Sequence, residues 1–152
     1  MVKIIPLSRE LLSESISLLK TIFPYKPDQR LLKHSLTDSL KTGAYGQVYW
    51  VAVDDTNSVI GITGLYNDKK DKKVRWIGWF GVHPDHRKLG IGSELLQYAI
   101  DMALQKGTTS LRLYTSSDPK EQAAHQLYKK FGFQQIGINK KADEIYFCKS
   151  IK

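Results

Sequence analysis

Apolar positions recur along this chain at two intervals, and the switches between them mark the elements. Leu12, Ile16, Leu19 and Phe23 fall at helical spacing behind Ser8, a plausible N-cap, so a helix is expected to reach Phe23. Pro24-Tyr25-Lys26-Pro27 breaks it. A second helix is expected from Asp28 to Lys41, with Leu32, Leu36 and Leu40 on one face and Gly43 as its stop. The period then changes. Val2–Ile5, Gln47–Val53, Val59–Tyr66 and Val74–Val82 are rich in β-branched and aromatic residues and read as strands. The turn chemistry of Asp54-Asp55-Thr56-Asn57 and the lysine-rich Lys69–Lys73 separate the last three, which predicts an antiparallel meander. Gly78 and Gly81 inside the fourth strand suggest a bulge or a close backbone approach.

Helical spacing returns after Gly92. Leu95, Leu96, Ala99, Ile100, Ala103 and Leu104 form one stripe, ended by Gly107. Ser110–Thr115 reads as a strand parallel to the one before the helix, because a helix crosses between them. A helix from Lys120 to Phe131 follows, with Gly132 as its stop. Phe133–Ile138 and Glu144–Ser150 close the chain as strands. The total is about seven strands and about four helices, a mixed α/β fold in one domain, residues 1–152.

The chemistry gathers at Arg87-Lys88-Leu89-Gly90-Ile91-Gly92-Ser93, where a strand turns into the third helix. Two glycines allow close approach of a ligand, the amides of a helix entry can point at an anion, and Arg87 and Lys88 add charge. The net charge of +8 agrees with an anionic ligand. Leu95 stands where a dinucleotide GxGxxG motif needs its third glycine, and no Gly-Lys-Ser/Thr follows as in a P-loop.

This R-x-x-G-x-G loop, preceded by Val82-His-Pro-Asp85, resembles the acyl-CoA loop of the GNAT-type N-acetyltransferases. Ala124, Leu127, Tyr128, Lys130, Gly132 and Phe133 resemble the same family's A-x-x-L-Y-x-K-x-G-F signature. The resemblance implies a GNAT fold with a central twisted mixed sheet. It also implies acetyl-CoA as co-substrate, and direct transfer of its acetyl group to a primary amine on a small molecule or peptide. It implies that Tyr128 is the general acid and the Val82 amide the oxyanion donor. Val82, Arg87, Lys88, Leu89, Gly90, Ile91, Gly92, Ser93, Glu121 and Tyr128 would contact the cofactor. A tyrosine suits the role, because its hydroxyl is protonated at pH 7 and a departing thiolate needs a proton.

Two departures stand out. Val74–Val82 has no carboxylate, where many members carry the general base, and Glu121 replaces the asparagine often found seven residues before the tyrosine. Tyr25 and Trp79 are candidate walls of the acceptor pocket. His83 and His86 have metal-like spacing, but no second cluster completes a site, so a turn role and no metal are expected. His34 and His125 are expected on the surface, and Cys148 as a buried strand residue. A single cysteine, no apolar run of membrane length and no apolar block at the N-terminus fit a cytoplasmic monomer or homodimer. A non-catalytic acyl-CoA sensor on the same fold is the alternative reading. A nucleic-acid-associated domain lacks a recognisable reading helix.

Overall fold

A computed structural model describes residues 2–24, 29–41 and 46–151. Its strands are β1 (Lys3–Pro6), β2 (Val48–Val53), β3 (Val59–Asn67), β4 (Val74–Ile77), β5 (Gly81–Val82), β6 (Ser110–Thr115), β7 (Gln134–Asn139) and β8 (Glu144–Ser150). Its α-helices are α1 (Arg9–Ile22), α2 (Gln29–Ser39), α3 (Ile91–Gln105) and α4 (Gln122–Lys130). Single 3-10 turns at Pro84–His86 and Pro119–Glu121 lead into α3 and α4.

One sheet runs in the order β1-β2-β3-β4-β6-β8-β7, with β5 paired to β3. Every neighbouring pair is antiparallel except β4 and β6, which are parallel across α3. The sheet therefore consists of an amino-terminal meander and a carboxy-terminal hairpin set, joined along one parallel seam.

Residues opposite each other in the ladder share a face, so the register sorts the side chains. On one face α1 and α2 cover β1 to β3. There Leu19, Leu32, Leu36, Val51 and Ile62 are fully buried. Each such side chain contributes roughly 1.5–3 kcal/mol by leaving water. On the other face α3 and α4 pack Leu96, Ala99 and Tyr128 against Leu111, Leu113 and Phe147. The first face carries no helix over β4, β6 and β8 among the described residues. Tyr66, Trp76, Tyr114 and Tyr146 lie there, paired in register as Tyr66 with Trp76 and Tyr114 with Tyr146.

Two of the expected helix stops are glycines in the left-handed region, and the third, Gly43, lies outside the described residues. Gly107 has φ +82° and Gly132 has φ +89°. After α3, Gly107 donates to the Leu104 carbonyl and Thr108 to that of Ala103, both at 3.0 Å. After α4, Gly132 donates to Lys129 and Phe133 to Tyr128, again at 3.0 Å. Both are Schellman closures, which satisfy carbonyls a helix end leaves open. The α4 closure also ties the backbone of Tyr128 to Phe133, the residue before β7.

Four expectations change. The strand expected over Val74–Val82 is two strands, because its register against β3 slips. Leu65 faces Ile77 but Ile62 faces Gly81, so three residues on one strand oppose two on the other. That extra residue is a bulge at Gly78-Trp79-Phe80. His125 is buried, not on the surface, because its Nε2 lies 3.2 Å from the Thr115 hydroxyl and its ring packs on Phe147. Leu104 is exposed at the last turn of α3, past the edge of the buried stripe. Cys148 is half-buried on the face that lacks a helix, beside the Ser110 hydroxyl.

Candidate active site

The bulge opens the sheet. β4 pairs with β6 from Val74 to Trp76, but β5 pairs with β3 alone, so the ends of β5 and β6 part. His83 N–H donates to the Ile60 carbonyl at 2.8 Å. By antiparallel alternation, Gly81 is then in a hydrogen-bonded pair with Ile62, and Val82 in a non-hydrogen-bonded pair with Gly61. The backbone groups of Val82 therefore turn away from β3, toward the gap. The Val82 carbonyl accepts from Arg87 Nε at 3.2 Å. Its N–H is left facing the parted strands.

Tyr49 holds the bulge from the side. Its buried hydroxyl accepts the Trp79 N–H at 3.2 Å, replacing a ladder bond that the bulge removes. The ring lies across Gly64 and Gly78, where a Cβ would overlap it. Burial raises the Tyr49 pKa, so the hydroxyl is neutral. Gly81 makes room for α1, since a Cβ there would meet Ile22 Cγ2 at 3.0 Å.

A cavity of about 1040 Å³ fills the gap and is lined from both faces of the sheet. On the α3 side its wall is the loop after β5. His83 Nδ1 accepts the Asp85 N–H at 3.1 Å and so caps the 3-10 turn, which is the turn role expected of this histidine. Lys88 (φ +66°) and Gly90 (φ +82°) then bend the chain into α3. Gly90 is the N-cap and supplies no side-chain bond, so the amides of Ile91, Gly92 and Ser93 have no partner within the helix. The positive end of α3, with Arg87 and Lys88, meets the cavity here. Gly92 has ordinary helical φ. A Cβ there would sit 3.4 Å from Leu127 Cδ2, so its lack of a side chain leaves a shallow space over the helix entry. Leu89 is 70% exposed and its side chain lies outside the cavity.

On the α4 side, Tyr128 is buried among Phe80, Phe133 and Phe147, with ring centroids 5.9, 6.1 and 5.9 Å away, and it lines the cavity. Glu121 also lines it and is buried. Its Oε1 accepts from the Thr115 hydroxyl at 2.9 Å and its Oε2 from the Ser116 hydroxyl. Those bonds offset the cost of burying the carboxylate and fix the turn between β6 and α4.

On the opposite face, Trp79 lines the cavity and packs on Phe23 with centroids 5.2 Å apart, so it is both wall and core. Tyr25 lies outside the described residues. Tyr66, Tyr114 and Glu144 complete this wall. Tyr146 donates to Glu144 Oε1 at 2.5 Å, and this bond, more than burial, pushes its pKa up to about 12. Desolvation raises Tyr66 and Tyr114, and the charge on Glu144 adds to both. Glu144 and its tyrosines carry no motif. Only the pairing of β6 with β8 brings them to the cavity, so spacing along the chain could not find them.

The lining of the cavity thus has two sides separated by the sheet. One presents helix amides and cations, the other presents aromatic rings and a carboxylate, and the Val82 N–H lies between.

Comparison with known proteins agrees with this architecture. The family model for the acetyltransferase (GNAT) family matches residues 13–133. The N-acetyltransferase camello of Xenopus tropicalis, recorded as probable, is 30% identical over 111 residues, 72% of this chain and 49% of its own length. The chain spans half or less of the length of the curated relatives it matches. Among solved structures, a GNAT-family acetyltransferase from Staphylococcus aureus Mu50 superposes with TM-score 0.83 at 21% identity, covering 100% of both chains. The PaiA N-acetyltransferase from Thermoplasma acidophilum, in complex with coenzyme A, gives TM-score 0.81 at 17% identity over 99% of both. At these identities the two structures share the fold.

Proposed function

The chain belongs to the GNAT acetyltransferase family, and on that premise we propose that it transfers an acetyl group directly from acetyl-CoA to a primary amine. The observation that carries the reading is one cavity lined from both faces of the sheet, with the Val82 N–H at the gap between them. A sequential reaction needs both substrates bound at once, one from each face. The residues present fit the cofactor. Three unpaired amides at the α3 entry, the glycine space at Gly92 and the Arg87 and Lys88 cations suit a pyrophosphate. The PaiA neighbour, whose complex contains coenzyme A, supports the same assignment.

Acetyl-CoA supplies an activated thioester and a thiolate leaving group. The chain supplies position and protons. The parted end of β5 offers backbone groups along which an extended arm can lie, in the manner of an added strand. The Val82 N–H, turned away from β3, would donate to the carbonyl oxygen as it gains charge, and a preorganised donor of this kind lowers the barrier. The amine nitrogen bonds to the carbonyl carbon, the carbon–sulfur bond breaks, and the amine proton leaves to solvent. Tyr128 donates its hydroxyl proton to the departing sulfur and recovers one from water.

The test is thiol release from acetyl-CoA against a panel of primary amines, with a thermal-shift titration of coenzyme A alongside. Saturation with coenzyme A at a hundred times Kd is expected to stabilise the fold by about 2.7 kcal/mol. No shift at millimolar coenzyme A would refute the cofactor assignment. Binding without thiol release for any amine would refute the transfer.

A further inference from the structure

Glu144 is unused by that reaction, yet it lines the same cavity. It begins β8, is half-buried, and lines the cavity on the face opposite α3 and α4. Its charge is felt by Tyr66, Tyr114 and Tyr146, which stand on the same face. Tyr146 meets one carboxylate oxygen, and among the described residues no cation pairs with the other. Arg112, on the same face, stands opposite Cys148, beyond the Tyr114–Tyr146 pair. A carboxylate ringed by aromatic groups is a receptor for an ammonium, which gains both a charge-assisted hydrogen bond and attraction to the ring faces.

Register also sets the reach. β6 lies between β8 and the bank that carries Val82. Two strand spacings of about 4.8 Å separate Glu144's strand from the Val82 amide, or about 10 Å, and more where the sheet parts. On that spacing a cation held at the far side of Glu144 would be a second group, distinct from the nitrogen that attacks beside the Val82 amide. We infer that the acceptor carries two positive charges, and that Glu144, with Tyr114 and Tyr146, binds the one remote from the attacking nitrogen. This rests on the transfer proposed above and adds a specificity-determining residue: the substrate class is a diamine, or a basic group on a chain of comparable length.

The probes are 1,8-diaminooctane and n-octylamine, which share a body and differ in the second charge. Calorimetry in the presence of coenzyme A is expected to give at least tenfold tighter binding of the diamine. Glu144→Gln should abolish that preference while leaving octylamine and coenzyme A affinities unchanged, and should raise the diamine KM far more than it lowers kcat. A merely structural Glu144 would weaken both amines alike. Absence of a diamine preference in the wild type, or its survival in E144Q, overturns the inference. If E144Q does not fold, 8-aminooctan-1-ol against the diamine on the wild type decides it, and equal affinities refute. Thiol release measured in parallel separates the two readings. Turnover of octylamine with no diamine preference leaves the reaction standing and sinks this site. A Glu144-dependent preference with no turnover of either amine does the reverse.

Discussion

Tyr49→Phe is a small change with a large expected effect. The hydroxyl it removes is the partner of the Trp79 N–H at 3.2 Å, inside a bulge where no strand can replace it. The ring is buried at 5% exposure and flanked by Gly64 and Gly78, so water has little room to enter. Leaving a buried donor unpaired costs about 1–3 kcal/mol. For a chain of 150–250 residues each kcal/mol moves Tm by about 2–4 °C, so a loss of about 2–12 °C is expected. The bulge also aims Val82 at the cavity, so kcat should fall while coenzyme A affinity holds. Thermal unfolding and hydrogen exchange at the Trp79 amide are the assays. A Tm within 1 °C of wild type, with the Trp79 amide as protected as before, would refute the assigned role of the hydroxyl. Gly64→Ala serves as the companion. Its Cβ would press on the ring and sit 2.8 Å from the Val48 carbonyl, so overpacking of about 1–3 kcal/mol should disturb the same bulge.

Three further outcomes are expected. Tyr128→Phe keeps the ring against Phe80, Phe133 and Phe147, so stability and coenzyme A affinity should hold while turnover falls by about 10²–10⁴; unchanged turnover in the folded variant would make Tyr128 a packing residue. Gly92→Ala should raise stability by up to about 1 kcal/mol, since its Cβ makes only ordinary contact, yet weaken coenzyme A binding by filling the space over the helix entry; calorimetry showing normal affinity would mean that the loop is only a turn. Tyr49, Tyr66, Tyr114 and Tyr146 all have raised pKa values. The folded state therefore holds protons that the unfolded chain releases, and stability should be full below pH of about 10 and fall as pH rises beyond it; urea midpoints that rise from pH 9 to 10.5 would contradict this.

Much of the fold was legible because local chemistry decides it. Gly107 and Gly132 stop their helices, and the Asp54 turn closes with Asp54 Oδ1 accepting from Thr56 and Ser58. The α3 entry was legible for the same reason: Gly90 and its neighbours announce an uncapped helix. What stayed hidden depends on register. Gly78 and Gly81 hinted at a bulge in Val74–Val82, but the one-residue slip that splits the stretch into β4 and β5 shows only in the pairing with β3. His125 looked polar and external because its partner Thr115 is in another element. Glu144 became part of the wall only when β8 aligned with β6, which no spacing within either strand encodes.

The parallel seam has a consequence for how the molecule opens. β1 to β5 come from residues 3–82 and β6 to β8 from residues 110–150, so each half of the sheet is one continuous stretch of chain. The two meet in the sheet through Val74–Ser110, Arg75–Leu111 and Trp76–Arg112. The seam holds only these three register pairs, against six in β2–β3 and six in β6–β8, and parallel pairing is slightly less stable per residue than antiparallel. In the native state the same line should separate with less free energy than either flank, and amides along it should exchange sooner. A ligand lying between β5 and β6 would touch both halves. It would act as a splint, and slower exchange on both sides of the seam at once would be its signature.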